Sequence, residues 1–227
     1  GDDKMILTYE TDAYNQAYLY NINGTEISKI ELPSIGSVGF STSRKHNEVF
    51  YKFTSFINPG SVYAFNPADG TSKVERTVTL DGFNPDDYVT EQVFYTSADS
   101  TKVPMFITYK KGLERNGKNP VYLYGYGGFN ISLTPGFSAN RLLWLENGGI
   151  YAQANLRGGS EYGEDWHLAG TKQNKLNVFN DFIAAAEYMI DQKWTSPDYI
   201  VIEGGSNGGL LVGATVNMRP DLFKVPI

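Results

Sequence analysis

Residues 201–213 read VIEGGSNGGLLVG, with Ser206 set among four glycines, after a β-branched run and before an apolar one. DYIVIE (198–203) predicts a buried strand. NGGLLVGATVNM (207–218), apolar and rich in small residues, predicts a buried helix that Arg219–Pro220 ends. Residues 204–208 must then form a sharp turn. Strand, G-x-S-x-G and helix in that order make a nucleophile elbow, which presents the serine at the tip of a strained bend. Side chains two residues before and after the serine would strike the neighbouring strand and helix, so Gly204 and Gly208 flank it, and Gly205 and Gly209 relax the packing further. The helix directs its positive end at Ser206. That end and the backbone N–H of Asn207 favour a developing oxyanion. A Gly-rich β–α turn whose serine merely caps the helix would use the same letters. A phosphate loop fits less well, because there is no G-K-[ST] and the glycine spacing does not match G-x-G-x-x-G.

Upstream of the elbow, strands and helices alternate. PVYLYGYGG (120–128) and GGIYAQANLRGG (148–159) each read as a strand running into a Gly-rich loop. LNVFNDFIAAAEYMIDQKW (176–194) places apolar residues at 179, 182, 183, 186, 189 and 190, the spacing of a helix. Such alternation gives a parallel sheet of the α/β class. Ahead of it, TEQVFYTSADSTKVPMFITYKK (90–111) reads as a hairpin around SADSTK. An elbow needs an oxyanion partner from the loop after the third strand, and YGYGGFN (124–130) stands in that place. Gly125, Gly127 and Gly128 let the backbone approach a substrate. Tyr126 offers a phenolic O–H, although it is one of 16 tyrosines and packing alone would account for it.

Residues 1 to about 80 read as all-β. MILTYE, AYLYNI, EVFYKF and SVYAFN are short runs of Val, Ile, Tyr and Phe. NING (21–24) and NPADG (66–70) are turn signals. AYLYNINGTE and SVYAFNPADGTS share a strand, an Asn and then a Gly before a Thr, and Gly24 and Gly70 are 46 residues apart. A propeller blade has a period of about 40–45 residues, and a generic β-meander fits the pattern equally.

The 227 residues suffice for one large core, or for one domain plus part of another. Hydrophobic residues make up 41% and charged residues 19%, with a net charge of −6 and both signs interspersed. No basic stripe argues for nucleic acid. The absence of cysteine excludes disulfides, thiolate nucleophiles and Cys-ligated metals. No apolar stretch approaches the ~20 residues of a membrane span. The start, GDDKMILTYE, lacks the basic flank and apolar core of a signal peptide and does not begin with Met, which favours an internal piece of a longer chain.

LYGYGGFN, NLRGGSEYGEDWH, EYMIDQKWTSPDYI and GGSNGGLLV…NMRPDLF together resemble the prolyl oligopeptidase family of serine peptidases, densely over residues 120–223 and weakly over 1–80. The resemblance implies the last blades of a β-propeller over 1–82 and the first part of an α/β-hydrolase domain over 83–227. It implies a serine endopeptidase that cleaves short peptides after proline through an acyl-enzyme. Ser206 matches the nucleophile, Tyr126 the side-chain oxyanion donor, Asn207 the backbone donor, and Phe129 an aromatic wall of the proline pocket. No metal or cofactor is implied, and no nucleic-acid or membrane partner. The full-length protein is expected to be a monomer in the cytoplasm, or in the periplasm if a signal precedes this segment.

The sequence departs from the family pattern in one respect. The triad order in this fold class is Ser, Asp, His, yet Asp221 is the sole acid after Ser206 and no histidine follows it. His46 lies in the polar stretch SRKHNE, and is expected to be exposed; His167, in YGEDWHLAG, would need a convergent triad order to serve as base. Asp221 in RPDLF is expected to end the helix rather than orient a base. The triad Asp and His, and the tryptophan-bearing part of the proline pocket, are therefore expected beyond residue 227. The isolated segment is expected to be nearly inactive and poorly folded, with an unpaired sheet edge. The alternatives are an esterase, an acyl- or dipeptidyl-peptidase of the same fold, or a catalytically dead propeller–hydrolase binding protein.

Overall fold

A computed structural model describes residues 3–43 and 48–227; His46 lies outside the described residues. The chain forms two compact units, Gly1–Pro85 with Thr134–Ala139, and Asp86–Leu133 with Asn140–Ile227.

The first unit is built of antiparallel meanders. β1 (Lys4–Thr11), β2 (Tyr14–Asn21) and β3 (Glu26–Ile30) make a three-stranded sheet. β4 (Ser37–Thr42), β5 (Val49–Thr54), β6 (Ser61–Asn66) and β7 (Thr71–Thr77) make a four-stranded one. Each strand pairs with its sequence neighbour, the arrangement of successive propeller blades. Alternation is plain in β5, where Tyr51 and Phe53 are buried while Phe50 and Lys52 face water. Tyr51 stacks on Tyr63 with ring centroids 4.8 Å apart. The 46-residue spacing has a structural counterpart. Gly24 and Gly70 both take positive φ, +88° and +75°, and each donates its N–H to the carbonyl of an asparagine, Asn21 or Asn66, at 2.9 Å. Among the described residues seven strands form where four apolar runs stand out in the sequence. The additional ones, β3, β4 and β7, are more polar: β3 and β4 send only Ile30, Val38 and Phe40 toward the core, and β7 (TSKVERT) buries nothing. Their partners' backbone hydrogen bonds define them, not a run of apolar side chains.

The second unit is a six-stranded mixed sheet. β8 (Tyr88–Thr96) and β9 (Lys102–Lys110) form the expected hairpin, and β10 (Val121–Tyr124), β11 (Ile150–Ala154), β12 (Ile200–Glu203) and β13 (Val225–Pro226) complete it. The spatial order is β13-β12-β10-β11-β9-β8. The pairs β13–β12, β12–β10 and β10–β11 are parallel; β11–β9 and β9–β8 are antiparallel. Four helices connect or follow the strands: α1 (Ala139–Glu146), α2 (Glu164–Leu168), α3 (Lys175–Asp191) and α4 (Asn207–Met218). Val121 and Leu123 of β10 are fully buried in one core with Val178 and Phe182 of α3 and Leu211 of α4. The intervening Tyr122 turns to the other face, edge-on to Trp144 of α1 at 5.7 Å. Helices thus lie on both faces of the sheet, as an α/β-hydrolase fold requires. Strand order changes hand beside β10 and β12, so the loops leaving these two strands share one crevice.

α4 departs from its reading as a buried helix. It buries Gly208, Leu211, Val212 and Thr215, but leaves Leu210 57% and Met218 41% exposed. Its small residues line both faces, so composition alone does not reveal that one face is solvated. No helix among the described residues is long and apolar enough to cross a membrane.

Candidate active site

β12 ends at Glu203, whose carboxylate accepts the Tyr122 hydroxyl and so pins the strand end to β10. The chain then reverses within three residues into α4. A Cβ on Gly204 would stand 2.4 Å from the Gly208 carbonyl oxygen, and one on Gly208 3.0 Å from that of Gly125. Contact therefore requires glycine at 204, whereas a side chain at 208 would need the Gly125 backbone to give by a few tenths of an ångström. Gly205 and Gly209 are not required in this way: a Cβ on Gly205 meets nothing, and one on Gly209 meets only an ordinary contact at 3.6 Å. Their expected role in relieving packing is not what the structure shows.

Ser206 sits at φ +56°, ψ −112°, outside the regions that a β-carbon favours. It occupies the residue before α4, yet its side chain makes no capping hydrogen bond. Its carbonyl accepts the Gly209 N–H at 2.9 Å. Ser206 is exposed, and the helix behind it runs 12 residues with its positive end at the bend. These features distinguish the turn from a helix start whose serine is an N-cap.

The loop after β10 meets this turn directly. Asn207 donates its side-chain Nδ2–H to the Tyr126 carbonyl at 2.6 Å. The Tyr126 ring lies 3.9 Å from the place of a Gly208 Cβ. Gly128 is pressed against the Asn207 amide, where a Cβ would come within 2.5 Å of Nδ2. Phe129 and Asn130 both adopt positive φ, 55° and 56°, and the Phe129 ring is held 74% exposed. An aromatic side chain on left-handed backbone, turned to solvent, is a costly arrangement, of the kind found at ligand clamps. Phe129 and Asn207 help line a cavity of about 480 Å³, together with Gly128, His167, Lys172 and Lys175. Ser206 and Tyr126 are not among its walls.

His167 of α2 donates Nδ1–H to the Gly158 carbonyl at 2.8 Å. Among the described residues no hydrogen bond joins Ser206 to a histidine or a carboxylate. Asp221 is exposed and receives two hydrogen bonds from Arg219, at 2.9 and 2.7 Å, which hold its carboxyl below the usual range. It belongs to the end of α4 and its ion pairs.

Two features near the site carry no sequence signal. Lys175, the first residue of α3, reaches into the loop after β10, and Arg157 and Asp181 form a buried ion pair. A lysine in KQNKLN reads as surface charge, and an aspartate at 181 interrupts an apolar helix face with nothing nearby in the chain to pair with.

The comparisons with known proteins agree with this architecture. Residues 1–77 match the prolyl oligopeptidase N-terminal β-propeller domain, and residues 135–227 match the prolyl oligopeptidase family. The chain is 52% identical to the prolyl endopeptidase of Elizabethkingia meningoseptica over 99% of its own length and 32% of that protein's. It is 42% identical to the prolyl endopeptidase of Dictyostelium discoideum over 98% of its length and 30% of that relative's. A solved structure from a study of two prolyl endopeptidases superposes with a TM-score of 0.92 at 43% identity, covering 99% of this chain and 33% of the other. Prolyl oligopeptidase B of Galerina marginata, with a 35-residue hydrolysis and macrocyclisation substrate, superposes at 0.93 with 33% identity, covering 99% and 32% of the two chains. The chain spans about a third of the length of these relatives. With a propeller match at one end, a hydrolase match at the other and whole-chain similarity to prolyl endopeptidases, the chain belongs to the prolyl oligopeptidase family.

Proposed function

We propose that the complete protein is a serine endopeptidase that hydrolyses short peptides on the carboxyl side of proline. The observation that carries the reading is the elbow: an exposed serine at φ +56°, uncapped, with the loop after β10 bonded to the next residue. Ser206 Oγ attacks the scissile carbonyl and loses its proton to a general base. The Asn207 N–H and the Tyr126 hydroxyl hold the tetrahedral oxyanion, each contributing about 3 kcal/mol. Collapse expels the amine, which takes the proton back from the base, and water then hydrolyses the acyl-enzyme. Phe129 offers a flat apolar face to the pyrrolidine ring, which has no N–H to satisfy. His167 bonds the Gly158 carbonyl through Nδ1, and among the described residues no hydrogen bond joins Ser206 to it or to a carboxylate. We therefore assign the base, and the acid that orients it, to residues of the complete protein beyond 227. Residues 1–82 are assigned to propeller blades that restrict entry to short peptides, and residues 83–227 to the catalytic domain.

The experiment is hydrolysis of a Gly-Pro amide by the complete protein, with fluorophosphonate labelling beside it. The wild type is expected to cleave and to label; Ser206→Ala is expected to lose at least ~10⁴-fold in kcat and all labelling. Cleavage that survives in Ser206→Ala would show that the nucleophile lies elsewhere. An unlabelled wild type would favour a dead, peptide-binding relative.

A further inference from the structure

Lys175 stands where a cation is least expected. It is the first residue of α3, at the positive end of a 17-residue helix with no acidic residue in its first turn. It is half-buried, and burial pulls its pKa below the ordinary lysine value. Among the described residues no carboxylate pairs with it. Its ammonium instead donates to the Gly127 carbonyl at 2.7 Å and to the Asn207 side-chain oxygen at 3.2 Å. Asn207 passes the connection on, from Nδ2 to the Tyr126 carbonyl. One cation therefore holds both segments that the peptidase reading assigns to the oxyanion: Gly127, the residue next to Tyr126, and Asn207, which supplies the backbone N–H. Asn207 is the first residue of α4, so fixing its side chain also fixes the direction of that N–H.

We propose that Lys175 is a positioning residue for the oxyanion donors, locking Asn207 to the Tyr126–Gly127 backbone so that the two donors keep their spacing through the reaction. The proposal rests on the serine-peptidase reading. Donors fixed in advance cost no reorganisation as charge develops, so the benefit falls on the transition state and not on substrate binding.

The test compares Lys175→Met and Lys175→Arg with the wild type in the complete protein. Steady-state cleavage of a Gly-Pro amide, affinity for a prolinal aldehyde as a tetrahedral probe, and thermal midpoint are measured. Lys175→Met keeps the length of the stem and removes the donors. It is expected to lose about 10–100-fold in kcat, somewhat less than deleting a whole donor. KM should stay within about threefold, the midpoint within a few degrees, and aldehyde affinity should fall by the same factor as kcat/KM. Lys175→Arg should recover most of the loss, because the cavity beside Lys175 has room for the larger head. An unchanged kcat in Lys175→Met overturns the proposal. So does a rise in KM alone, or a loss of activity that follows the loss of folded protein in both variants. Ser206→Ala separates the two levels: where it is inactive and Lys175→Met is not, only the positioning role fails; where it remains active, the peptidase reading fails and the positioning role falls with it.

Discussion

Held at φ +56°, Ser206 stores backbone strain of order 1–3 kcal/mol, which the packing around the bend must sustain. The two glycines before it make different demands, and the difference is testable. Gly204→Ala would push a methyl to within 2.4 Å of a backbone oxygen, which cannot swing aside as a side-chain tip would. It is expected to destabilise the protein by about 1–3 kcal/mol and to displace the serine, lowering kcat. Gly205→Ala enters open space at a position without positive φ, and is expected to leave the thermal midpoint unchanged or raise it slightly. Urea denaturation and Gly-Pro amide turnover of the pair check this; equal effects would mean that the turn tolerates more than its contacts suggest.

At the scale of elements, the turn between β8 and β9, the loop after β11 and α3 are tied by Arg157. Its guanidinium is buried and donates to Asp181 at 2.6 Å and to Asp99 at 2.5 Å. Ser97 adds a hydroxyl bond to Asp181 at 2.6 Å. Asp181→Ala leaves the guanidinium buried with only the outer aspartate, and is expected to cost about 3–5 kcal/mol in chemical denaturation. Asp99 has a different, pH-dependent part. Hydrogen bonds from Arg157 lower its pKa to about 2. A folded value below the unfolded one, about 3.9, contributes stability at higher pH that is lost as the pH falls from about 4 to about 2. The side chain is 45% exposed, so water screens the pair and the effect stays below about 1 kcal/mol. Asp99→Asn should therefore show a smaller drop in urea midpoint between pH 4.5 and pH 2 than the wild type; equal drops would assign acid sensitivity to other carboxylates.

Across the whole molecule, burial is uneven between the two units. β11 is buried at every residue and lies between β10 and β9, whereas β7 is exposed at every residue and closes the edge of its sheet. Hydrogen exchange is expected to be slowest for the amides of β10, β11 and β12 and fastest, among strands, for β7. Exchange in β7 as slow as in β11 would mean that another surface covers this edge.

The elbow was legible because it is a local steric problem. A reversal from strand to helix around a presented serine crowds the backbone at two fixed offsets, most severely at 204, and Gly204, Ser206 and Gly208 record it in five letters. The hairpin at 90–111, the strand before each Gly-rich loop and the 46-residue turn repeat were legible for the same reason, since each depends on neighbours in the chain. The polar strands β3, β4 and β7 were not, because Ile30 in β3 and Val38 and Phe40 in β4 are too few apolar contacts to mark a strand, β7 buries nothing, and pairing partners specify all three. Nor was the short helix α1, whose apolar stripe is too brief to show a period. Tertiary structure alone decided that Lys175 meets Gly127 and Asn207, residues 48 and 32 positions away, and that Asp181 lies against Arg157. Such pairs depend on which faces of distant elements meet, and a charged side chain carries no mark in its own sequence neighbourhood of whether it will find water or a carbonyl.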